Sequence, residues 1–316
     1  MRAAAGRVRE PARMADGRPA RELPTGVAAW VAGARVRTLP AAVVPVLVGT
    51  AAARGVEGPL IAWRAIAAAL VALALQVATN YANDYSDGVR GTDDPGARVG
   101  PVRLVGWGIK EPRAVKIAAM ASFAVAGVVG LALAVAVGPE LLAVGAVSIA
   151  AGWFYTGGPK PYGYLGLGEV FVFVFFGVVA TVGSTYVQVE EVTGLGLLAS
   201  VPVGLLATAL LVTNNLRDIP GDRVVGKQTL AVRLGDARTR TLFVTMLVVA
   251  FLLVVPVAVD RPWAAVAFLA VPLAVRPIQM VRRGAEGLAL IPVLAATGQV
   301  QLVFGMLLAL GMAVSA

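Results

Sequence analysis

The sequence predicts an all-α integral membrane protein of nine transmembrane helices, and three observations predict it. Mean hydropathy is +0.81. Hydrophobic residues make up 58% of the chain against 14% charged, far oilier than a surface that must meet water. The apolar residues also fall in blocks separated by charged connections, and about 20 residues of helix cross a hydrocarbon core of roughly 30 Å.

Taken in order, residues 1–25 (MRAAAGRVREPARMADGRPARELPT) are rich in Arg, Pro and Ala. They lack the apolar core of a signal peptide and read as a disordered cytoplasmic tail before a single transmembrane domain, residues 26–316. The short apolar piece 26–34 carries Trp30 and is expected in the membrane interface, where Trp is favoured. Apolar spans then cover 39–53, 61–79, 115–137, 141–155, 167–187, 195–212, 242–259, 263–275 and 288–314. Several are near or under crossing length, so tilted helices, or helices extending past their apolar cores, are expected. Phe171, Phe173, Phe175 and Phe176 read as packing and lipid contact.

Orientation follows from charge. Alternating the connections places every Lys and Arg except Arg54, Arg64 and Arg261 on the side of the N-terminus, which the positive-inside rule assigns to the cytoplasm. The other side carries Glu57, Glu140, Glu190, Glu191 and Asp260, and an odd number of crossings puts the C-terminus outside. The net charge of +9 therefore serves topology rather than nucleic acid. The chain has no Cys and no His. That excludes disulfides, zinc sites of the usual kind and the commonest general base, and leaves carboxylates, Lys, Arg, Tyr and Asn, with a hard cation such as Mg²⁺.

Two polar clusters end apolar spans. NYANDYSDGVRGTDD follows the second span and NNLRDIPGD the sixth, four helices apart, as though a four-helix unit were duplicated; such symmetric halves usually place a site at their interface. Asp84 and Asp87 are spaced i, i+3, and Asp218 and Asp222 i, i+4, so each pair shares a helix face if the helix continues through the motif. Like charges on one face are tolerable when a divalent cation neutralises them. Arg90, Lys160, Arg217, Arg223 and Lys227, with Arg35 and Arg37 before the first span, lie on the same side. Carboxylates, metal and point charges together suit a diphosphate. A single juxtamembrane Asn-Asp pair is commonly a solvated cap; two in matching places argue for a site. Asp93 and Asp94, in GTDDPG, read as turn residues.

NDYSDGVRGTD, YTGGPKPYGYLGLGEVFVFVFFG and NNLRDIPGDRVVGKQTLAVRLG closely resemble three signatures of the 1,4-dihydroxy-2-naphthoate prenyltransferases of menaquinone biosynthesis, within the UbiA-type intramembrane prenyltransferase superfamily. RVRTLPAAVVPVLVGTAAA is similar to that family's first helix, and the similarity covers about residues 28–314. The resemblance implies a nine-helix bundle around a central apolar chamber, capped by cytoplasmic loops. It places Mg²⁺ and diphosphate ligands on Asn80, Asn83, Asp84 and Asp87 and on Asn215, Asp218 and Asp222, with Tyr155, Lys160 and Lys227 completing the site. Many superfamily members carry a third aspartate where this chain has Gly91; Asp93 is the candidate substitute. The implied reaction moves a polyprenyl group from polyprenyl diphosphate to 1,4-dihydroxy-2-naphthoate, with loss of CO₂, in the cell membrane, giving demethylmenaquinol. The rival readings are another aromatic acceptor, such as 4-hydroxybenzoate or homogentisate, and a cation-coupled secondary transporter.

Overall fold

A computed structural model describes residues 23–56, 58–93 and 102–316. Most of the expected tail, together with Glu57 and Asp94, lies outside the described residues. Every regular element among the described residues is helical. We number the helices α1 Gly26–Ala34, α2 Pro40–Ala53, α3 Ala62–Val89, α4 Pro112–Ala136, α5 Glu140–Phe154, α6 Gly168–Val189, α7 Gly194–Val224, α8 Leu230–Leu234, α9 Asp236–Asp260, α10 Pro262–Arg282 and α11 Gly287–Val314.

Each of the nine expected spans coincides with helix. Seven of the described helices are long and apolar enough to cross a membrane alone. An eighth candidate is Gly26–Thr38 with Pro40–Ala53, two pieces that are long and apolar enough together and meet at 49°. The ninth segment, α5, has only 15 residues, short of the usual crossing length. The break between α1 and the helical turn Val36–Thr38 has a local cause. Arg35 adopts φ 52°, a left-handed conformation that costs a non-glycine residue about 1–2 kcal/mol, and its carbonyl accepts the Thr38 hydroxyl at 2.9 Å.

The helices overrun their apolar cores where it matters. α3 continues through the first acidic motif to Val89, and α7 through the second to Val224. Close packing of α6 on α7 uses glycine: a Cβ on Gly177 would lie 2.5 Å from the Gly204 Cα. α6 is wound as a π-helix over Phe173–Val179 at this contact. A large core holds Val44, Val48, Leu206, Phe243, Phe304 and Leu308 at the α2, α7, α9 and α11 contacts. A second, around Tyr81, Leu104, Val115 and Phe123, binds α3, α4 and the segment that precedes α4.

Between these cores lies a cavity of about 1570 Å³, beyond the roughly 300–1,000 Å³ of ordinary small-molecule sites. Its wall is apolar over most of its extent, with Leu131, Leu141, Val187, Phe171, Phe175 and Phe176 among the lining residues. Three of the four phenylalanines read as packing residues therefore face the chamber. At the N-terminal end of α3 the bundle is tied by Arg64, which donates to the Val187 and Ala136 carbonyls at 3.0 and 3.1 Å and pairs with Glu190 at 2.9 Å. This explains one of the three basic residues that fall on the far side from the rest.

Candidate active site

The site is built from the C-terminal ends of α3 and α7. Because α3 stays helical, Gln76, Asn80, Asn83 and Asp87 recur on one face and all line the cavity. On α7 the same holds for Leu211, Asn214, Asp218 and Asp222. A helix C-terminus carries partial negative charge, so carboxylates there are doubly unfavourable without cations. The structure supplies them. Lys227 Nζ lies 3.2 Å from Asp87 Oδ2, and Arg217 grips Asp218 through Nε and Nη2 at 2.7 and 2.9 Å. Arg103 Nε lies 3.1 Å from Asp93 Oδ2.

A third element, the loop after α5, closes on this end. Tyr164 donates its hydroxyl to Asp87 Oδ1 at 2.6 Å, and its carbonyl accepts the Gln228 N–H at 3.0 Å. Lys227 Nζ sits 4.5 Å from the Tyr164 ring centroid, within cation–π range. Burial, reinforced by Asp87, pushes the Tyr164 phenol above the ordinary tyrosine range. It stays protonated, as a hydrogen-bond donor. Thr156 donates to Asn83 Oδ1 at 2.8 Å, fixing that amide's orientation.

Several expected site residues stand elsewhere. Asp84 is fully buried and does not line the cavity; its two oxygens accept the Leu104 and Val105 N–H groups, each at 2.9 Å. It anchors the loop before α4. Gly88 permits this approach, since a Cβ there would meet Val105 side-chain carbons at 2.5 Å. Arg90, expected on diphosphate, turns to the Thr156 and Gly158 carbonyls and does not line the cavity. Lys160 is exposed and lies off the cavity wall. Asn80 lines the cavity but donates to the Ala34 carbonyl and Thr38 hydroxyl at 3.0 and 3.2 Å. Asn215 lines the cavity too, but donates to the buried Glu169 at 2.8 Å. Asp93, read as a turn residue, is buried in the cavity wall. Arg37, Arg223, Tyr155 and Lys227 line it.

Sequence reasoning passed over Arg103, Tyr164, Asn214 and Glu169. Asn214 was within reach, because it stands four residues before Asp218 as Asn83 stands four before Asp87. The sequence pattern of the UbiA prenyltransferase family matches this protein over residues 42–287, a range that contains both acidic helix ends. This protein belongs to the UbiA prenyltransferase family. Among relatives of this UbiA chain, a 1,4-dihydroxy-2-naphthoate octaprenyltransferase from Mycobacterium tuberculosis is 52% identical over 89% of this chain and 96% of its own length. The protein of that name from Escherichia coli is 38% identical, covering 91% and 96%. The fold is similar to a UbiA homologue from Aeropyrum pernix, with TM-score 0.64 and 18% identity over 89% and 98% of the two chains. It is also similar to one from Archaeoglobus fulgidus described with GPP and Mg²⁺ bound, with TM-score 0.62 and 13% identity over 88% and 99%.

Proposed function

We propose that this UbiA-family membrane protein transfers a polyprenyl group from polyprenyl diphosphate to 1,4-dihydroxy-2-naphthoate, releasing diphosphate and CO₂, with Mg²⁺ as cofactor. The observation that carries the reading is the polarity of the cavity. Two acid-bearing helix ends and the basic residues Arg37, Arg103, Arg217, Arg223 and Lys227 meet at one end, and the remaining wall is largely apolar. A diphosphate head with a long hydrocarbon tail has that same division. The names of the relatives at 52% and 38% identity support the naphthoate as acceptor. We place the protein in the cell membrane, N-terminus cytoplasmic and C-terminus outside.

The residues present fit Mg²⁺. Asn83, Asp87, Asp93, Asn214, Asp218 and Asp222 put oxygen donors on one cavity end, although no three acidic side chains among the described residues form a ready-made ion site. Mg²⁺ commonly takes only one or two carboxylates and completes its shell with phosphate oxygens and water. Held by these side chains, Mg²⁺ would supply charge neutralisation for a departing diphosphate.

The chain's own groups do the rest. Basic side chains aimed at the diphosphate stabilise charge as the allylic C–O bond breaks, and preorganised groups of this kind supply large rate effects in water-poor sites. The apolar wall holds the tail and excludes water from the allylic cation. The acceptor carbon bearing the carboxylate forms the new C–C bond; loss of CO₂ returns the C–COO⁻ electron pair to the ring. No side-chain base is needed for that step, which suits a chain without His.

Reconstituted protein given a labelled polyprenyl diphosphate and Mg²⁺ should prenylate the naphthoate in preference to 4-hydroxybenzoate and homogentisate, and chelation should stop it. Preference for another acceptor would replace the naphthoate reading. Ion uptake into sealed vesicles without prenylated product would favour the transporter.

A further inference from the structure

Two of the site's carboxylates are paired with cations from the connecting segments. Asp87, on α3, pairs with Lys227 at 3.2 Å, from the connection between α7 and α8. Asp93 pairs with Arg103 at 3.1 Å, across the segment between α3 and α4. All four residues line the cavity. They are nearly closed to water: Asp87 is 3% exposed, Lys227 9%, Asp93 1% and Arg103 4%. The second oxygen of Asp87 is already taken by the Tyr164 hydroxyl at 2.6 Å.

We propose that Lys227 and Arg103 are exchangeable counter-ions: as folded they neutralise Asp87 and Asp93, and on loading they pass to the diphosphate while the metal takes over the carboxylates. The inference rests on the metal and diphosphate reading given above. A buried carboxylate cannot give up its cation without a replacement, and a released ammonium or guanidinium left in the cavity wall needs an anion of its own. Metal without diphosphate would leave Lys227 without an anion, and diphosphate without metal would leave Asp87 without its cation. Each ligand therefore favours the other, and the coupling is reciprocal. Lys227 is suited to the move: its point charge sits on a flexible stem, and it stays within reach of the Tyr164 ring, 4.5 Å away.

The test uses the full-length, metal-free protein in detergent. Mn²⁺ binding is read by electron paramagnetic resonance, and binding of an unreactive farnesyl thiodiphosphate by calorimetry at saturating Mn²⁺. Lys227→Gln and, separately, Arg103→Gln should bind Mn²⁺ alone about tenfold more tightly than the unaltered protein, because an internal competitor worth about 1.4 kcal/mol is gone. The same variants should bind the diphosphate analogue more weakly. Lys227→Arg, which keeps the charge, should restore both values toward those of the parent and covers the case of a glutamine variant that does not fold. Variants that bind Mn²⁺ no tighter than the parent, while the parent binds both ligands, would overturn the exchange alone. A parent protein that binds neither Mn²⁺ nor the analogue would overturn the metal and diphosphate reading beneath it.

Discussion

Asp84 and Asp87 stand one turn apart on α3 and meet different surroundings: backbone amides of the loop before α4 for the first, Lys227 and Tyr164 at the cavity wall for the second. Asp84→Asn should leave the Mg²⁺ dependence of prenyl transfer unchanged but lower stability by about 1–3 kcal/mol, the cost of a buried donor losing its acceptor, measured as a shift in the thermal unfolding of the detergent-solubilised protein. Asp87→Asn should instead lower transfer by about 100-fold or more, as expected for loss of a group that positions charge at the reacting centre, read in a saturating-substrate assay. Lys160→Ala, off the cavity wall, should leave the KM for prenyl diphosphate unchanged. The Tyr164 phenol is raised by burial and by Asp87. A raised value keeps the neutral donor in place below the usual tyrosine pKa of about 10, and its bond to Asp87 is lost only as pH climbs through that raised value. The rate should therefore show no alkaline decline below about pH 10 that Tyr164→Phe removes.

At the scale of elements, the sequence made α3 and α7 legible because their apolar blocks are long and their acidic motifs have helical spacing. That the helix persists through Asp87 and Asp222 was a condition of the reading, and the structure meets it. The pairing of the two helix ends was legible from their matching position four helices apart. The connecting segments were not. Nothing in GARVGPVRLVGWGIKEP marks Arg103 out from the other basic residues of the cytoplasmic side; its role comes from Asp84 fixing the neighbouring amides and Leu104 filling a core, which are long-range contacts. The partners of Arg90 are hidden from the sequence for the same reason: its guanidinium meets the carbonyls of Thr156 and Gly158, more than sixty residues away. This loop also depends on close approach at Gly106, where a Cβ would lie 2.6 Å from the Asp93 carbonyl oxygen. Gly106→Val should displace Asp93 and Arg103 together and lose metal-dependent activity while the membrane helices remain folded, seen as unchanged far-ultraviolet circular dichroism beside lost turnover.

For the whole molecule, the cavity unites what single residues suggest. A chamber of about 1570 Å³, charged at one end and apolar beyond, calls for a substrate with the same polarity, and the bundle around it requires a membrane. The orientation can be checked directly because the chain has no native cysteine. A cysteine at Ser315, next to the end of α11, should be labelled by an impermeant maleimide from outside intact cells, and one at Arg282, at the end of α10, only after permeabilisation. The central claim is that the charged end of the chamber ionises a prenyl diphosphate and the acceptor is joined at its carboxylate-bearing carbon. The most direct test follows the carboxyl carbon. Purified protein in liposomes receives polyprenyl diphosphate, Mg²⁺ and 1,4-dihydroxy-2-naphthoate labelled with ¹³C in its carboxylate, and both the gas phase and the lipid extract are analysed by mass. Labelled CO₂ released in equal amount to an unlabelled prenylated naphthoquinol, and neither formed when Mg²⁺ is chelated, is the predicted result. A prenylated product that retains the label, or undiminished product without divalent metal, would contradict it.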